Sequence, residues 1–310
     1  MIRFLTLAVL FAFAMSSSIS AQAAVLDGDD AVVSASGGQF KDWTLSFFSI
    51  ASVDNMRPGK STSDARSISS YDYLSANYKL DYDQRVSVRL PFYLNTDGTN
   101  AYGDKVSSEL AMADIHVVYS NYDLGYIGDV DLSGKVKLYL PTSRRSANSR
   151  QVTQVRLEGY ADYAITRSIL IAYIVKPDIY WQTQTVAIND TVPQYADGTY
   201  MRDPRATTQQ YGLEHYIQLQ WTINSIFSLA SKTGIDEGWY HSSAAEDIDG
   251  SHVTRLRLGL DLWIRPVRGL SFTLGVSNET NLGYARNNDN IRFVEPENTQ
   301  YSLMTNWAIF

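Results

Sequence analysis

From residue 40 onward the chain alternates apolar and polar side chains in run after run. Val86, Val88, Leu90, Phe92 and Leu94 interleave with Arg85, Ser87, Arg89 and Tyr93. Val130, Leu132, Val136, Leu138 and Leu140 interleave with Asp131, Ser133, Lys135, Lys137 and Tyr139. Leu256, Leu258, Leu260, Leu262 and Ile264 interleave with Arg255, Arg257, Asp261 and Arg265. A period of two puts successive side chains on opposite faces of a strand, whereas a helix could not gather these charges on one face. The pattern predicts twelve strands, over 40–53, 69–81, 84–95, 109–121, 129–142, 153–165, 168–182, 208–223, 226–240, 252–265, 269–283 and 298–310.

The connections sharpen the prediction. Strands two and three are joined at Tyr82-Asp83, six and seven at Thr166-Arg167, eight and nine at Asn224-Ser225, and ten and eleven at Pro266-Val267-Arg268. The link from four to five is slightly longer, and every other link is long. Alternating short and long connections mark a barrel of the bacterial outer membrane, with short turns in the periplasm and long loops outside. An even strand count then puts both ends of the barrel in the periplasm. Trp43, Trp221 and Trp307 fall near the periplasmic strand ends, and Trp181 and Trp239 near the outer ends, as two interfacial belts require. Trp263 is out of phase and points inward. The expected class is therefore all-β: a transmembrane, antiparallel, up-and-down barrel of twelve strands. A soluble β-sandwich or lectin-like barrel also alternates, but it gives no reason for alternating loop lengths or paired aromatic belts.

Energetics sets the phase. A Lys or Arg facing lipid at the midplane costs about 2–4 kcal/mol. Lys135 and Lys137 must therefore face the lumen, and Val136 and Leu138 the lipid. The same rule turns Arg85, Arg89, Asp131, Arg156, Glu158, Lys176, Asp178, Glu214, Lys232, Asp236, Arg255, Arg257 and Asp261 inward as candidate pore-lining residues, with Asp114, Asp162, Arg265 and Glu279 beside them. His215 breaks the rule, because it shares a face with Leu213, Ile217 and Leu219. Inward charges of both signs either line a wet pore or pair and fill the lumen; twelve strands lie between the filled and the open sizes. The tally is balanced enough to predict no strong ion preference.

The amino terminus adds the compartment. Arg3, the apolar run from Phe4 to Met15 and Ala21-Gln22-Ala23 form a secretory leader, so residues 1–23 are expected to be removed. The apolar run is too short to span a bilayer, which takes about 20 residues. Residues 24–310 form the barrel domain, with 24–38 a periplasmic segment available as a partial plug. The longest later apolar run, Ile169 to Val175, suits a strand. A closed barrel is then the remaining way to satisfy backbone groups in lipid. The absence of cysteine removes disulfides, thiol nucleophiles and thiolate metal sites. A formal net charge of −7 for the whole chain argues against nucleic acid, which needs a clustered positive surface. No cofactor is implied.

Two resemblances follow from particular residues. Phe310, closing the last predicted strand, resembles the C-terminal signal by which bacterial barrel proteins reach their insertion machinery. The apolar positions Tyr301, Leu303, Trp307 and Ile309 run one residue out of register with that signal. The stretch Gly128-Asp129-Val130-Asp131-Leu132, followed by Lys135-Val136-Lys137-Leu138-Tyr139-Leu140-Pro141-Thr142, resembles the central hairpin of a broad family of outer-membrane transporters named after the meta-cleavage pathway of phenol degradation. That resemblance covers about a tenth of the chain. It implies a channel for small molecules and brings no catalytic residues.

Other chemistry is weighed on the same terms. A barrel lipid hydrolase would need Ser, His and an orienting group within reach. His241-Ser242-Ser243 with His252, and His116 with Asp114, are the candidates. Neither resembles a known barrel nucleophile motif. Asp247-Ile248-Asp249-Gly250 opens like a calcium loop, but Leu258 stands where the bidentate Glu belongs. Arg144, Arg145 and Arg150 cluster in one outer loop, suited to lipopolysaccharide phosphate. The expected function is passive diffusion of small polar or aromatic solutes. The alternative is a plugged barrel with a structural or adhesive role.

Overall fold

The computed structural model describes residues 42–54, 65–100, 105–188, 205–242, 252–282, 294 and 298–309. The leader, the 24–38 segment, the Asp247 loop and Phe310 lie outside the described residues. Twelve barrel strands follow one another: β1 (Trp43–Asp54), β2 (Ser69–Lys79), β3 (Gln84–Asn95), β4 in two pieces (Glu109–Met112 and His116–Ile127), β5 (Val130–Tyr139), β6 (Gln151–Ala164), β7 (Ile169–Gln182), β8 (Gln209–Thr222), β9 (Phe227–Tyr240), β10 (His252–Val267), β11 (Leu270–Asn281) and β12 (Thr299–Ala308). Each pairs antiparallel with its sequence neighbour. The ring closes where β1 meets β12, from Ser46↔Ala308 to Asp54↔Gln300. Closure leaves the sheet without an edge, which a barrel needs in lipid. No described helix is long and apolar enough to cross a membrane.

Two short connections differ from expectation. β4 does not stop near Asn121. It passes an irregularity between Asn121 and Gly125 and continues to Ile127, so the link to β5 is only Gly128-Asp129. Gly128 sits at φ 62°, which a side chain would resist. β10 likewise runs through Pro266 to Val267 after a shift in register, and the turn is Arg268-Gly269 with Gly269 at φ 85°. Beyond the barrel, short ladders join Gly98–Thr99 to Lys105–Val106 and Val186–Ile188 to Arg205–Thr207. Both belong to long loops that the period-two pattern leaves blank.

The break in β4 has a cause in β3. Leu90 and Pro91 face three residues of β4, because Arg89 pairs with His116 and Phe92 with Met112. Pro91 has no N–H to give the ladder. Its carbonyl still accepts from the Ala113 N–H at 3.0 Å. The extra residue is a bulge, and it frees Asp114 from the ladder.

The two faces of the wall differ as the phase argument requires. Val88, Leu90, Val136, Leu138, Leu219, Leu260 and Leu274 are exposed on the outside, while Ser87, Arg89, Lys135, Lys137, Gln218 and Asp261 are buried. Trp43, Trp221 and Trp307 are exposed near the short turns, with Trp181 and Tyr211 at the opposite end. Trp239 continues the upper belt, its ring stacked on His252 at 4.8 Å. Tyr211 and Trp221 share one face of β8, ten residues apart. That is about 33 Å along the strand, or about 25 Å along the membrane normal at a tilt of about 40°. The spacing matches an outer-membrane apolar band. Trp263 is inward and buried, with the Arg265 guanidinium over its ring. His215 stays on the outer face, its ring edge-on to Tyr173 at 6.4 Å.

Candidate functional site

The lumen is built in two storeys. In the half nearer the short turns, inward side chains are buried: Phe48, Tyr73, Ser75, Arg89, Lys135, Glu158, Tyr160, Ile174, Gln218, Ala230 and Trp263 among them. Strand β6 supplies the central acid. Lys137 Nζ lies 2.7 Å from Glu158 Oε1, and Lys135 Nζ lies 3.7 Å from Glu158 Oε2. The Tyr160 hydroxyl donates to Glu158 Oε2 at 2.8 Å and accepts from Lys135 Nζ at 3.2 Å. Lys176 lies over the Tyr216 ring and Arg89 over the Tyr73 ring. Lys232 pairs with Asp261 at 2.9 Å.

Above this floor, toward the long loops, some of the charges meet water, while Asp178 stays buried. Six consecutive strands each contribute. Arg156 on β6 binds Asp178 on β7 at 2.6 Å and reaches Glu214 on β8 at 3.4 Å. Arg257 on β10 touches Glu214 at 3.4 Å, Asp236 on β9 at 3.1 Å and Glu279 on β11 at 3.1 Å. Arg255 holds Glu279 at 3.0 Å and Asp236 at 3.6 Å. Glu214 and Asp236 are direct cross-strand partners. Like charges so placed repel, and Arg257 holds both. Arg255, Arg257 and Glu279 are each more than a third exposed, unlike the floor residues.

A cavity of about 130 Å³ opens beside this belt, lined by Arg156, Asp178, Tyr180, Gln209, Gly212, Glu214, Asp236, Gly238, Tyr240, Val253 and Arg255. Two glycines make the room. Gly212 faces Gly238 across the β8–β9 ladder. A Cβ on Gly212 would come within 3.0 Å of the Gln209 amide and 3.3 Å of the Asp178 Cβ, and one on Gly238 within 3.1 Å of the Tyr240 ring.

Not every inward candidate joins these groups. Arg85 lies over the Tyr122 ring. Asp131 is exposed beside the β4–β5 turn, opposite Asp162. Sequence reasoning missed the inward aromatics. Phe48 stacks on Tyr73 at 4.8 Å, and His116 on Tyr139 at 4.7 Å. Their period-two phase was readable, but an aromatic is admissible on either face of a barrel, so phase alone carries no weight for them.

The outer loop between β5 and β6 is not shapeless. It forms a short helix, α1 (Arg144–Asn148), capped by Ser143. The freed Asp114 accepts from the Ser143 N–H at 2.8 Å and from the Ser146 hydroxyl. On the other side, the Asn148 carbonyl accepts from Gln184 at 2.7 Å. The Asp114 carboxylate thus serves α1, and His116 Nδ1 meets the Asp114 backbone oxygen at 3.1 Å instead. His241 Nδ1 lies 2.6 Å from the Gln210 amide nitrogen, and partial burial lowers the His241 pKa. His252 pairs with Glu237 at 3.3 Å. Among the described residues, no group of three or more His, Asp or Glu side chains is placed to hold a metal.

Comparison with known proteins yields a match of fold rather than of sequence. No family model matches the chain, and no curated protein matches it. The chain is similar to an outer-membrane channel from Pseudomonas putida F1, with a TM-score of 0.52 and 10% identity over 86% of this chain and 96% of that one. The two share the fold of a closed, antiparallel β-barrel. The outer-membrane channel DcaP of Acinetobacter baumannii (TM-score 0.36, 10% identity, 86% of this chain and 97% of that) and Salmonella typhi OmpF (0.38, 6%, 86% and 97%) also align along most of the barrel, at a likeness that carries no argument.

Proposed function

We propose that this barrel is a passive, non-enzymatic channel through which small polar or aromatic solutes cross the outer membrane. The observation that carries the reading is the belt of paired charges from Arg156 to Glu279, whose Arg255, Arg257 and Glu279 side chains are each more than a third exposed in the lumen above a buried floor. A wall meant only to be filled has no use for the partly exposed guanidinium groups of Arg255 and Arg257 above its floor, since charges stay wet where water has access. The buried floor makes the path narrow. The similarity to a solved outer-membrane channel agrees with this. So does the resemblance of the β4–β5 hairpin to transporters of the phenol meta-pathway family.

The proposal includes the pore-lining role of the inward charges and removal of residues 1–23. It places 24–38, which carries Asp27, Asp29 and Asp30, as a partial plug entering from the periplasmic end, where its acids suit a floor rich in Lys and Arg. It also includes lipopolysaccharide contact at Arg144, Arg145 and Arg150, and recognition of Phe310 by the insertion machinery. Purified protein in a planar bilayer gives discrete conductance steps on this reading. Silence across voltage and salt would overturn it in favour of a plugged barrel with a structural or adhesive role. A lipid hydrolase has less support, because Asp114 serves α1 and His241 faces an amide.

A further inference from the structure

The cavity beside the belt has the scale of one small ring. A space of about 150 Å³ holds a benzene, and this one measures about 130 Å³. Its room is built in, because Gly212 faces Gly238 across the ladder and a Cβ on either would crowd Asp178, Gln209 or the Tyr240 ring. Its chemistry is wrong for an apolar guest. Among the described lining residues Val253 is the one aliphatic side chain, and a guest that cannot hydrogen-bond would strip the ion pairs of water without replacing it. Its charges are already matched to one another. Arg156 is paired with Asp178 and Glu214, and Arg255 with Asp236, so a charged solute gains a counter-ion only by parting a pair. Lys176, the direct cross-strand partner of Glu214, adds a cation nearby. A neutral guest is indifferent to how that sum falls. What the lining offers such a guest is hydrogen bonding. A paired carboxylate keeps lone pairs to spare, and the Tyr180 and Tyr240 hydroxyls have no protein partner among the described residues. A hydroxyl both donates and accepts, so it can meet carboxylate, guanidinium and phenol in turn. The two tyrosine rings offer a surface on which the C–H face of a ring can pack.

We infer that the Gly212–Gly238 cavity is a binding site for a neutral, polyhydroxylated six-membered ring. The inference deepens the channel proposal by selecting polyols among the small solutes. It rests on that proposal for passage, though not for binding itself.

The test uses myo-inositol and cyclohexanol, two uncharged six-membered rings that differ in their number of hydroxyls. Each is titrated by saturation-transfer NMR into the full chain folded in detergent. Inositol should half-saturate the barrel at about tenfold lower concentration than cyclohexanol, the scale of one good net hydrogen bond. Gly238→Ala adds a methyl without altering charge and should weaken inositol binding several-fold. Tyr180→Phe combined with Tyr240→Phe keeps both rings, removes both free hydroxyls and should also weaken it several-fold; this variant decides the matter if Gly238→Ala does not fold. Tyr173→Phe, on the outer face, should change nothing. Equal or tighter binding of cyclohexanol, no binding of inositol, or inositol binding that survives the tyrosine changes overturns the inference. Inositol added to a planar bilayer should reduce single-channel current in the parent, and less so in the tyrosine variant. A barrel that binds inositol but conducts nothing sustains the site and defeats the channel reading. A barrel that conducts but binds no inositol defeats the site and leaves the channel.

Discussion

Replacing Glu158 with Gln removes the carboxylate that Lys135 and Lys137 share. Its side chain is 0% exposed and those of both lysines are 5% exposed, so all three groups have left water. The Tyr160 hydroxyl remains, but it hydrogen-bonds the amide more weakly than a carboxylate. Breaking a buried ion pair from one side costs about 3–5 kcal/mol, because the partner charge stays desolvated. An exposed pair is worth about 0–1 kcal/mol. Glu158→Gln should therefore lower barrel stability by about 3–5 kcal/mol, and Glu237→Gln, whose partner His252 is nearly half exposed, by no more than about 1 kcal/mol. The assay is urea unfolding from phospholipid vesicles, followed by tryptophan fluorescence, with the midpoint shifting at constant slope. Adding Lys137→Met to Glu158→Gln removes one stranded ammonium and should restore about 1–3 kcal/mol. A Glu158→Gln barrel within about 1 kcal/mol of the parent would refute the claim that this pair lies in a dry floor.

Two further expectations probe the wall and the rim. Val136→Arg turns a charge onto the lipid face between two inward lysines, and the same unfolding assay should show a loss of about 2–4 kcal/mol; a neutral result would mean the phase of β5 is wrong. Asp114→Ala removes the acceptor for the Ser143 N–H and the Ser146 hydroxyl. Trypsin should then cut after Arg144 or Arg145 several-fold faster while the barrel midpoint stays within about 0.5 kcal/mol, since α1 lies outside the ladder. An unchanged cleavage rate would show that Asp114 does not hold the helix.

Much of the fold was legible because its signals are local. The inward phase of Lys135 and Lys137 follows from two-residue alternation and the cost of a charge in lipid, and it needs no knowledge of β6. The aromatic belts follow from strand ends alone. Legibility failed where a single residue changed the count. Nothing in the alternation marks the two-residue turn at Gly128-Asp129, because the irregularity between Asn121 and Gly125 hides the true end of β4. Pro91 was visible, yet its effect falls on a neighbouring strand. Asp114 read as an inward charge beside His116. Only the bulge opposite Pro91 shows that its carboxylate goes to α1.

By itself the sequence determined the number of strands, which face of each meets lipid, and which ends carry the turns, because each depends on neighbours within one strand. The tertiary structure decided who pairs with whom. Arg156 meets Glu214 across 58 residues of chain, and Arg257 reaches acids on three other strands. Such contacts depend on register, and a slip of two residues would keep every face correct while dissolving the belt and its cavity.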